Sequence, residues 1–376
     1  MEDFLSSAST QVYRHIAKPL LFKISPDDVH DRLLKTGRFV QGVGLLRDLL
    51  HYSWAYDNSK MLKQELNGIK FYNPVGLSAG FDANFELAPL MKSVGFGFME
   101  GGSLTYKFCA GNPRPWFHRL PNSKSLVVNK GLANDGVDSI LEHISKYPAD
   151  TFDRFPLNIS VAKTNSKEAG NDAGAIADYV GSLQAIKKSG LGDMVTLNIS
   201  CPNAYGGEPF ITPGRLKALL DATDAVGLKQ PVYIKMPNHL PWPEFRKLVE
   251  VADTHKITGL TISNLAKDRA AANLKDPLHD SIKGNLSGKP TWEASNDLIR
   301  NTYKHYGKRF TIIGVGGIFS AEDAYAKIKL GASLVEVITG MIFEGPQLIG
   351  QINRGLVELL KKDGFTHISQ AVGRDV

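Results

Sequence analysis

The chain has very little cysteine: two residues, Cys109 and Cys201, in 376. That excludes a disulfide framework and leaves each thiol free to be reactive or simply buried, as in a reducing compartment. No run of roughly 18 apolar residues occurs, so no segment is expected to span a bilayer. The opening Met1-Glu-Asp-Phe4 has neither the charged-then-apolar signature of a secretory signal nor the arginine richness of a transit peptide. Blocks of like charge are also missing. The net charge of +6 is dispersed, which argues against a nucleic-acid partner and suits an anionic ligand or a membrane surface. The ten histidines are scattered without metal spacing, and no nucleophile elbow is present. Neither a metal centre nor Ser-His-Asp hydrolysis is therefore expected.

What is present divides near residue 60. In the first part, Val12, Ile16, Leu20, Leu21 and Ile24 recur at helical spacing, and Pro19 marks a break or a helix start. Ser25 followed by Pro26, Asp27 and Asp28 then reads as an N-cap, a first-position proline and first-turn acids. A second amphipathic stretch runs through Leu33, Leu34, Phe39, Val40, Leu45, Leu46 and Leu49. Two short apolar helices of this kind either cap the bottom of the domain that follows or form a hairpin against a partner or a membrane. Seven Lys/Arg against six Asp/Glu in residues 1–50 make electrostatic attraction to lipid weak. The expected division is a helical segment, 1–60, and a main domain, 61–376.

The main domain, with 43% hydrophobic residues in the whole chain to build its core, alternates short apolar runs with helical patterns. Candidate strands are 75–79, 97–101, 157–161, 194–199, 232–235, 260–263, 311–315 and 334–338. Eight such strands with helical crossovers predict an α/β fold, a (β/α)8 TIM barrel carrying an N-terminal helical extension. Segments 103–155 and 265–291 are long for barrel connections and are expected over the top, where barrel sites lie.

Strand ends therefore nominate the site. They deliver Ser78-Ala-Gly80, Gly101-Gly-Ser103, Asn158, Asn198 with Cys201, Lys235, and Ser263-Asn264. So many amides at buried ends need a polar, planar partner. Lys235 follows Tyr-Ile in a strand, where its charge needs an anion: the electron-rich edge of a reduced flavin, or a phosphate. Gly314-Val-Gly-Gly-Ile318 after the seventh strand and Thr339-Gly340 after the eighth form the usual barrel phosphate position. Cys201, held extended by Pro202 among Asn198, Ser200 and Asn203, is a candidate base. Cys109 has no such company and reads as structural.

These features together resemble the dihydroorotate dehydrogenases, FMN-containing barrels of pyrimidine synthesis. The resemblance runs from about Pro19 to the C-terminus. It rests on Asn73-Pro-Val-Gly-Leu-Ser-Ala-Gly80, Gly111-Asn-Pro-Arg-Pro115, Asn198-Ile-Ser-Cys-Pro-Asn203, Leu286-Ser-Gly-Lys-Pro290, Ile313-Gly-Val-Gly-Gly-Ile318, Gly331-Ala-Ser-Leu-Val335 and Gly340-Met-Ile-Phe-Glu-Gly-Pro346. Ile24-Ser-Pro-Asp-Asp-Val-His30 is similar to the quinone-reducing, membrane-associated class. The resemblance implies that the N-terminal helices form a quinone tunnel on the cytoplasmic face of the cell membrane. It implies FMN held by Ala79, Gly80, Ser103, Asn158, Asn198, Lys235, Ser263, Gly288, Gly316, Gly317, Thr339 and Gly340. It places Asn129, Asn198, Asn203 and Asn264 around dihydroorotate. The implied chemistry is removal of a C5 proton by Cys201, hydride transfer from C6 to the flavin, and electron transfer to a quinone.

Four features depart from the family pattern, one of them the Asn129-Lys-Gly-Leu-Ala-Asn134 loop, which is one residue shorter than the usual form. Cysteine at the base position is the habit of the soluble class, whereas the membrane class has serine. Ala83 stands where a lysine usually meets the substrate carboxylate, with Lys130 and Lys92 as possible stand-ins. Leu265 replaces a usual threonine. Two alternatives stay open on the sequence: a related FMN dehydrogenase for another dihydropyrimidine-like ring, and a non-redox barrel that binds a phosphate ligand.

Overall fold

A computed structural model describes residues 2–56 and 59–376. The chain opens with α1 (Glu2–Val12), a single π turn (Tyr13–Ala17) and α2 (Lys18–Leu21). The π turn falls just ahead of Pro19, which has no N–H to give to the helix. Next come α3 (Pro26–Gly42) and α4 (Gly44–Trp54). Ser25 occupies the N-cap position of α3, but its side chain caps nothing. Asp27 instead accepts from the N–H groups of Trp116 (2.9 Å) and Phe117 (3.3 Å), fastening the start of α3 to the barrel.

A hairpin, β1 (Gln64–Leu66) and β2 (Ile69–Phe71), precedes the barrel strands β3 (Val75–Leu77) and β4 (Phe98–Leu104), which flank α5 (Ala88–Val94). A second hairpin, β5 (Phe117–Leu120) and β6 (Ser125–Val128), leads through α6 (Val137–Ser145) to β7 (Leu157–Val161). The alternation continues with α7 (Asp172–Ser189), β8 (Met194–Asn198), α8 (Pro213–Val226), β9 (Val232–Lys235), α9 (Trp242–Asp253) and β10 (Gly259–Ile262). After β11 (Asn285–Leu286) come α10 (Trp292–Tyr306), β12 (Thr311–Val315), α11 (Ala321–Lys329), β13 (Leu334–Val337), α12 (Thr339–Glu344) and α13 (Leu348–Lys362). Strands β3, β4, β7, β8, β9, β10, β12 and β13 close in that order into a parallel barrel, at the eight places the apolar runs predict.

Alternation along the strands stacks the interior in layers. Phe98, Met194, Tyr233, Ile313 and Leu334 pack as one apolar layer with Phe71, Leu66 and Ile69 of the β1–β2 hairpin, which closes the bottom. Two residues further along the same strands lie Glu100, Thr196, Lys235, Val315 and Glu336, a mostly polar layer directly beneath the mouth.

The bottom cap is thus this hairpin, which corrects one of the two readings of the N-terminal helices. α3 instead lies across the top: Asp31 pairs with Arg114 (2.8 Å), Arg38 with Glu86, and Gly37 sits against Leu87 and Leu90. α1 and the π turn lie along the end of the chain, with Tyr13 donating to the Ile342 carbonyl (2.6 Å) and Gln351 to Thr10 (2.7 Å). The two long connections do cover the top, but not as bare loops. They contribute β5, β6 and β11 to a three-stranded antiparallel sheet over the mouth. The alternation in Ser125-Leu-Val-Val128 after the Pro121-Asn-Ser turn was the available signal.

Candidate active site

At the C-terminal end of the barrel a deep cavity runs from the strand ends, beneath the three-stranded sheet, to α3. Of the residues assigned to the flavin from sequence, Ala79, Gly80, Ser103, Asn198, Lys235, Ser263, Gly288, Gly316, Gly317, Thr339 and Gly340 all line it. Asn158 does not. It is fully buried in the layer below, exchanging hydrogen bonds with Thr196 (2.9 and 3.1 Å), so its amide is already spent inside the barrel. Of the substrate amides, Asn198, Asn203 and Asn264 are on the wall. Asn129 stands behind it, with its Oδ1 accepting from Asn112 (3.1 Å).

Cys201 reaches the cavity because the chain is pinned on both sides of it. Tyr179 donates to the Asn198 carbonyl (2.7 Å), Ser200 Oγ to the Lys235 carbonyl (2.8 Å), and Asn264 Nδ2 to the Ser200 carbonyl (2.7 Å). Beyond Pro202, Asn203 Nδ2 donates to the Val128 carbonyl (2.9 Å). Burial pushes the Cys201 thiol up from its ordinary pKa. The Asn203 backbone N–H and the ammonium groups of Lys163 and Lys235 act in the opposite direction without cancelling it. The thiol is therefore a stronger base once ionised, but ionises at higher pH than a free cysteine. Cys109, by contrast, is buried away from this cavity, its thiol directed at the Gly131 carbonyl (3.5 Å), in keeping with a structural role.

The glycines after β12 and β13 form a cup that side chains would fill. A methyl group at Gly316, whose φ is +110°, would meet Thr291 Oγ1, and one at Gly340 would meet the Ile318 carbonyl oxygen. With Gly288 and Thr339 opposite, the cup leaves backbone free to surround a small anion such as a phosphate.

Beneath the mouth lies a group that the sequence reading missed. Glu100 and Glu336 are 0% and 1% exposed, Lys235 Nζ is 3.6 Å from Glu100 and donates to Ser78 Oγ (3.1 Å), and the carboxyl oxygens meet no fixed donor. One cation faces two acids. Burial, then the neighbouring Glu100, drives the Glu336 pKa well above the ordinary carboxylate range, with Lys235 opposing. The signal was available: an acid inside each apolar run, 97–101 and 334–338, is as anomalous as the lysine that drew attention in 232–235.

A stability prediction follows from this raised pKa. Its stabilising contribution is complete below the pKa of an unfolded glutamate and is lost as pH rises towards the higher folded value. Glu336→Gln removes that dependence. The variant should melt at higher temperature than the parent at pH 8, by a margin that grows by at most about 1.4 kcal/mol per pH unit and vanishes below about pH 4. Melting curves across that range with no pH-dependent gap would contradict a raised Glu336 pKa.

A closed parallel barrel with an anion cup after its last two strands, joined to an amide-and-thiol pocket at its mouth, is the architecture of a cofactor-dependent barrel enzyme. The sequence signature described as dihydroorotate dehydrogenase matches residues 61–360, and the chain belongs to that family. A dihydroorotate dehydrogenase (quinone) from Natronomonas pharaonis is 35% identical over 361 residues, 96% of this chain and 99% of its own. Another from Sulfurimonas denitrificans is 35% identical over 364 residues, covering 95% and 97%. Among solved structures, DHODH from Eimeria tenella in complex with ferulenol superposes with a TM-score of 0.81 at 26% identity, covering 93% of this chain and 95% of that one.

Proposed function

We infer that the chain oxidises dihydroorotate to orotate, a step of pyrimidine synthesis, using bound FMN and passing the electrons to a quinone. The observation that carries this reading is the position of Cys201. It stands on the wall of one continuous cavity, between the glycine cup and the apolar passage under α3, with Asn198, Asn203 and Asn264 around it.

The cup of Gly288, Gly316, Gly317, Thr339 and Gly340 suits the terminal phosphate of FMN, and Ala79 and Gly80 let a flat ring approach the backbone. Lys235 presents its ammonium from below, and the raised pKa of Glu336 disfavours a second negative charge on the floor. When bound, FMN supplies the hydride acceptor. Asn198, Asn203 and Asn264 orient the pyrimidine ring through its amide edges. The Cys201 thiolate takes the C5 proton as the C6 hydride leaves, and the sheet formed by β5, β6 and β11 excludes water from both.

The passage towards α3 is lined by Pro26, Val29, Leu33, Phe117, Leu126 and Ile342, an apolar route suited to a quinone headgroup. Its outer surface is equally apolar. Nine of the twelve exposed large hydrophobic residues among those described, including Val12, Ile16, Leu20, Phe39, Leu45 and Leu49, fall in the first 52 positions. That concentration supports peripheral contact of residues 1–60 with the cytoplasmic face of the cell membrane. No described helix is long and apolar enough to cross one.

Steady-state turnover with a quinone acceptor should be supported by dihydroorotate and not by dihydrouracil; the reverse preference would overturn the substrate. For the passage, Val29→Trp should leave flavin reduction by dihydroorotate intact while lowering quinone turnover about tenfold, roughly 1.4 kcal/mol at the transition state. An unchanged quinone rate would contradict that route.

A further inference from the structure

We propose that Lys130 binds the carboxylate of dihydroorotate and so selects this substrate over an uncharged dihydropyrimidine. The inference rests on the activity proposed above. That carboxylate is borne on C6, beside the carbon whose proton Cys201 takes, so its partner must stand within the same pocket. Besides Glu336, the charged or titratable nitrogen-bearing side chains on the cavity wall are His30, Arg119, Lys130 and Lys235.

Three of these four are engaged elsewhere. Lys235 is paired with Glu100, which already supplies its counter-charge. Arg119 donates to the Ile24 carbonyl (2.6 Å) and lies 4.7 Å over the Phe22 ring, turned towards the N-terminal helices. His30 is wedged edge-on against Phe81 and Phe117, and burial holds its pKa down to about 4, leaving it neutral. Lys92, the other sequence candidate, donates to the carbonyls of Asp150 (3.1 Å) and Thr151 (3.2 Å) and is not on the wall.

Lys130 remains. It is half-buried, its ammonium 5.7 Å over the Trp116 ring, with no hydrogen bond or ion pair to any described residue. Its loop is bolted to the one that carries Cys201. Asn112 Nδ2 bridges the Asn129 side-chain oxygen (3.1 Å) and the Asn203 carbonyl (3.0 Å), while Asn203 donates to Val128. Ala83 lies on the same cavity wall as Lys130. Its neighbour Asp82 spends its carboxylate on the N–H groups of Glu86 (2.9 Å) and Leu87 (2.7 Å) and does not pair with Lys130. A desolvated cation that feels the charges of Asp82 and Asp31 but makes no ion pair or hydrogen bond with either, next to the base and its amides, is set up for an anionic ligand.

The test compares the holoenzyme with its Lys130→Met, Lys130→Arg and Ala83→Lys/Lys130→Met variants, using orotate affinity from the perturbation of flavin absorbance and steady-state kinetics with dihydroorotate. Retained flavin and an unchanged melting temperature show that each variant folds. Lys130→Met should raise orotate Kd and dihydroorotate KM by about 30-fold or more, with a much smaller fall in kcat. Lys130→Arg should stay within a few-fold of the parent, and the double variant should recover much of the loss by returning a cation to the same wall. Lys130→Met with Kd and KM within about threefold of the parent overturns the assignment while the activity stands. A parent protein that neither binds orotate nor is reduced by dihydroorotate overturns the activity and the assignment together.

Discussion

Replacing Cys201 with alanine should leave the flavin bound and slow its reduction by dihydroorotate about 100- to 10,000-fold, the contribution of a positioned general base. Serine at the same position should also be slow near neutral pH, because a hydroxyl without activation is a poorer base than a thiol. The pH dependence carries a sign that the geometry dictates. Burial raises the thiol pKa, so the thiolate is the minor form at pH 7 and its fraction grows about tenfold per pH unit below that pKa. Flavin reduction in the parent should climb with pH and keep climbing beyond about 8.5, the value for a free thiol, whereas the alanine variant should not follow the thiol titration. Stopped-flow traces in which Cys201→Ala matches the parent, or in which the parent's rate levels off well below that pH, would remove Cys201 from the base position.

Lys235→Met should have the second large effect, on both stability and flavin binding. The ammonium is 5% exposed, 3.6 Å from a fully buried Glu100, and is the cation that faces Glu100 and Glu336. Removing it strands a buried carboxylate, a change that costs about 3–5 kcal/mol in comparable pairs. The variant should unfold at markedly lower denaturant concentration and be isolated with little flavin. Adding Glu336→Gln should recover less than removing Glu100 together with Lys235, because Glu100 is the acid that the lysine pairs with. Denaturation midpoints that are the same for parent and Lys235→Met would show that the polar layer beneath the mouth is not the electrostatic unit described.

Much of this was readable before the fold was seen, for physical reasons. The eight barrel strands are buried on both faces, so each reads as a continuous apolar run between turn residues, and their number and spacing determine the closed sheet. The strand-end residues were legible because barrels place chemistry there, and eleven of the twelve positions assigned to the flavin do line the cavity. Asn158 is the exception: its amide is tied to Thr196 inside the barrel, a contact between neighbouring strands that the sequence of either one does not reveal. Asn129 is off the cavity wall, its side-chain oxygen accepting from Asn112, a contact the sequence does not show.

The features that were missed depend on contacts between distant parts of the chain. Glu100 and Glu336 are separated by more than half of the sequence, and each alone reads as an isolated acid in a strand. Their sharing of a single lysine needs the closed barrel. The position of α3 was ambiguous for the same reason. Its apolar face fits a cap or a tunnel equally well, and Asp27, Asp31 and Arg38, through Trp116, Arg114 and Glu86, decide which. The choice between Lys130 and Lys92 was likewise closed to the sequence, since both are single lysines near apolar segments and only one faces the cavity.

The central claim is that one cavity joins a base, a flavin and a quinone route. Its most direct test is anaerobic mixing of the purified yellow protein with dihydroorotate, followed by addition of a soluble quinone. The visible flavin absorbance should bleach with formation of one equivalent of orotate, then return in full as the quinone is reduced. Absorbance that is unaffected by dihydroorotate, in protein shown to contain FMN, would contradict the account at its base.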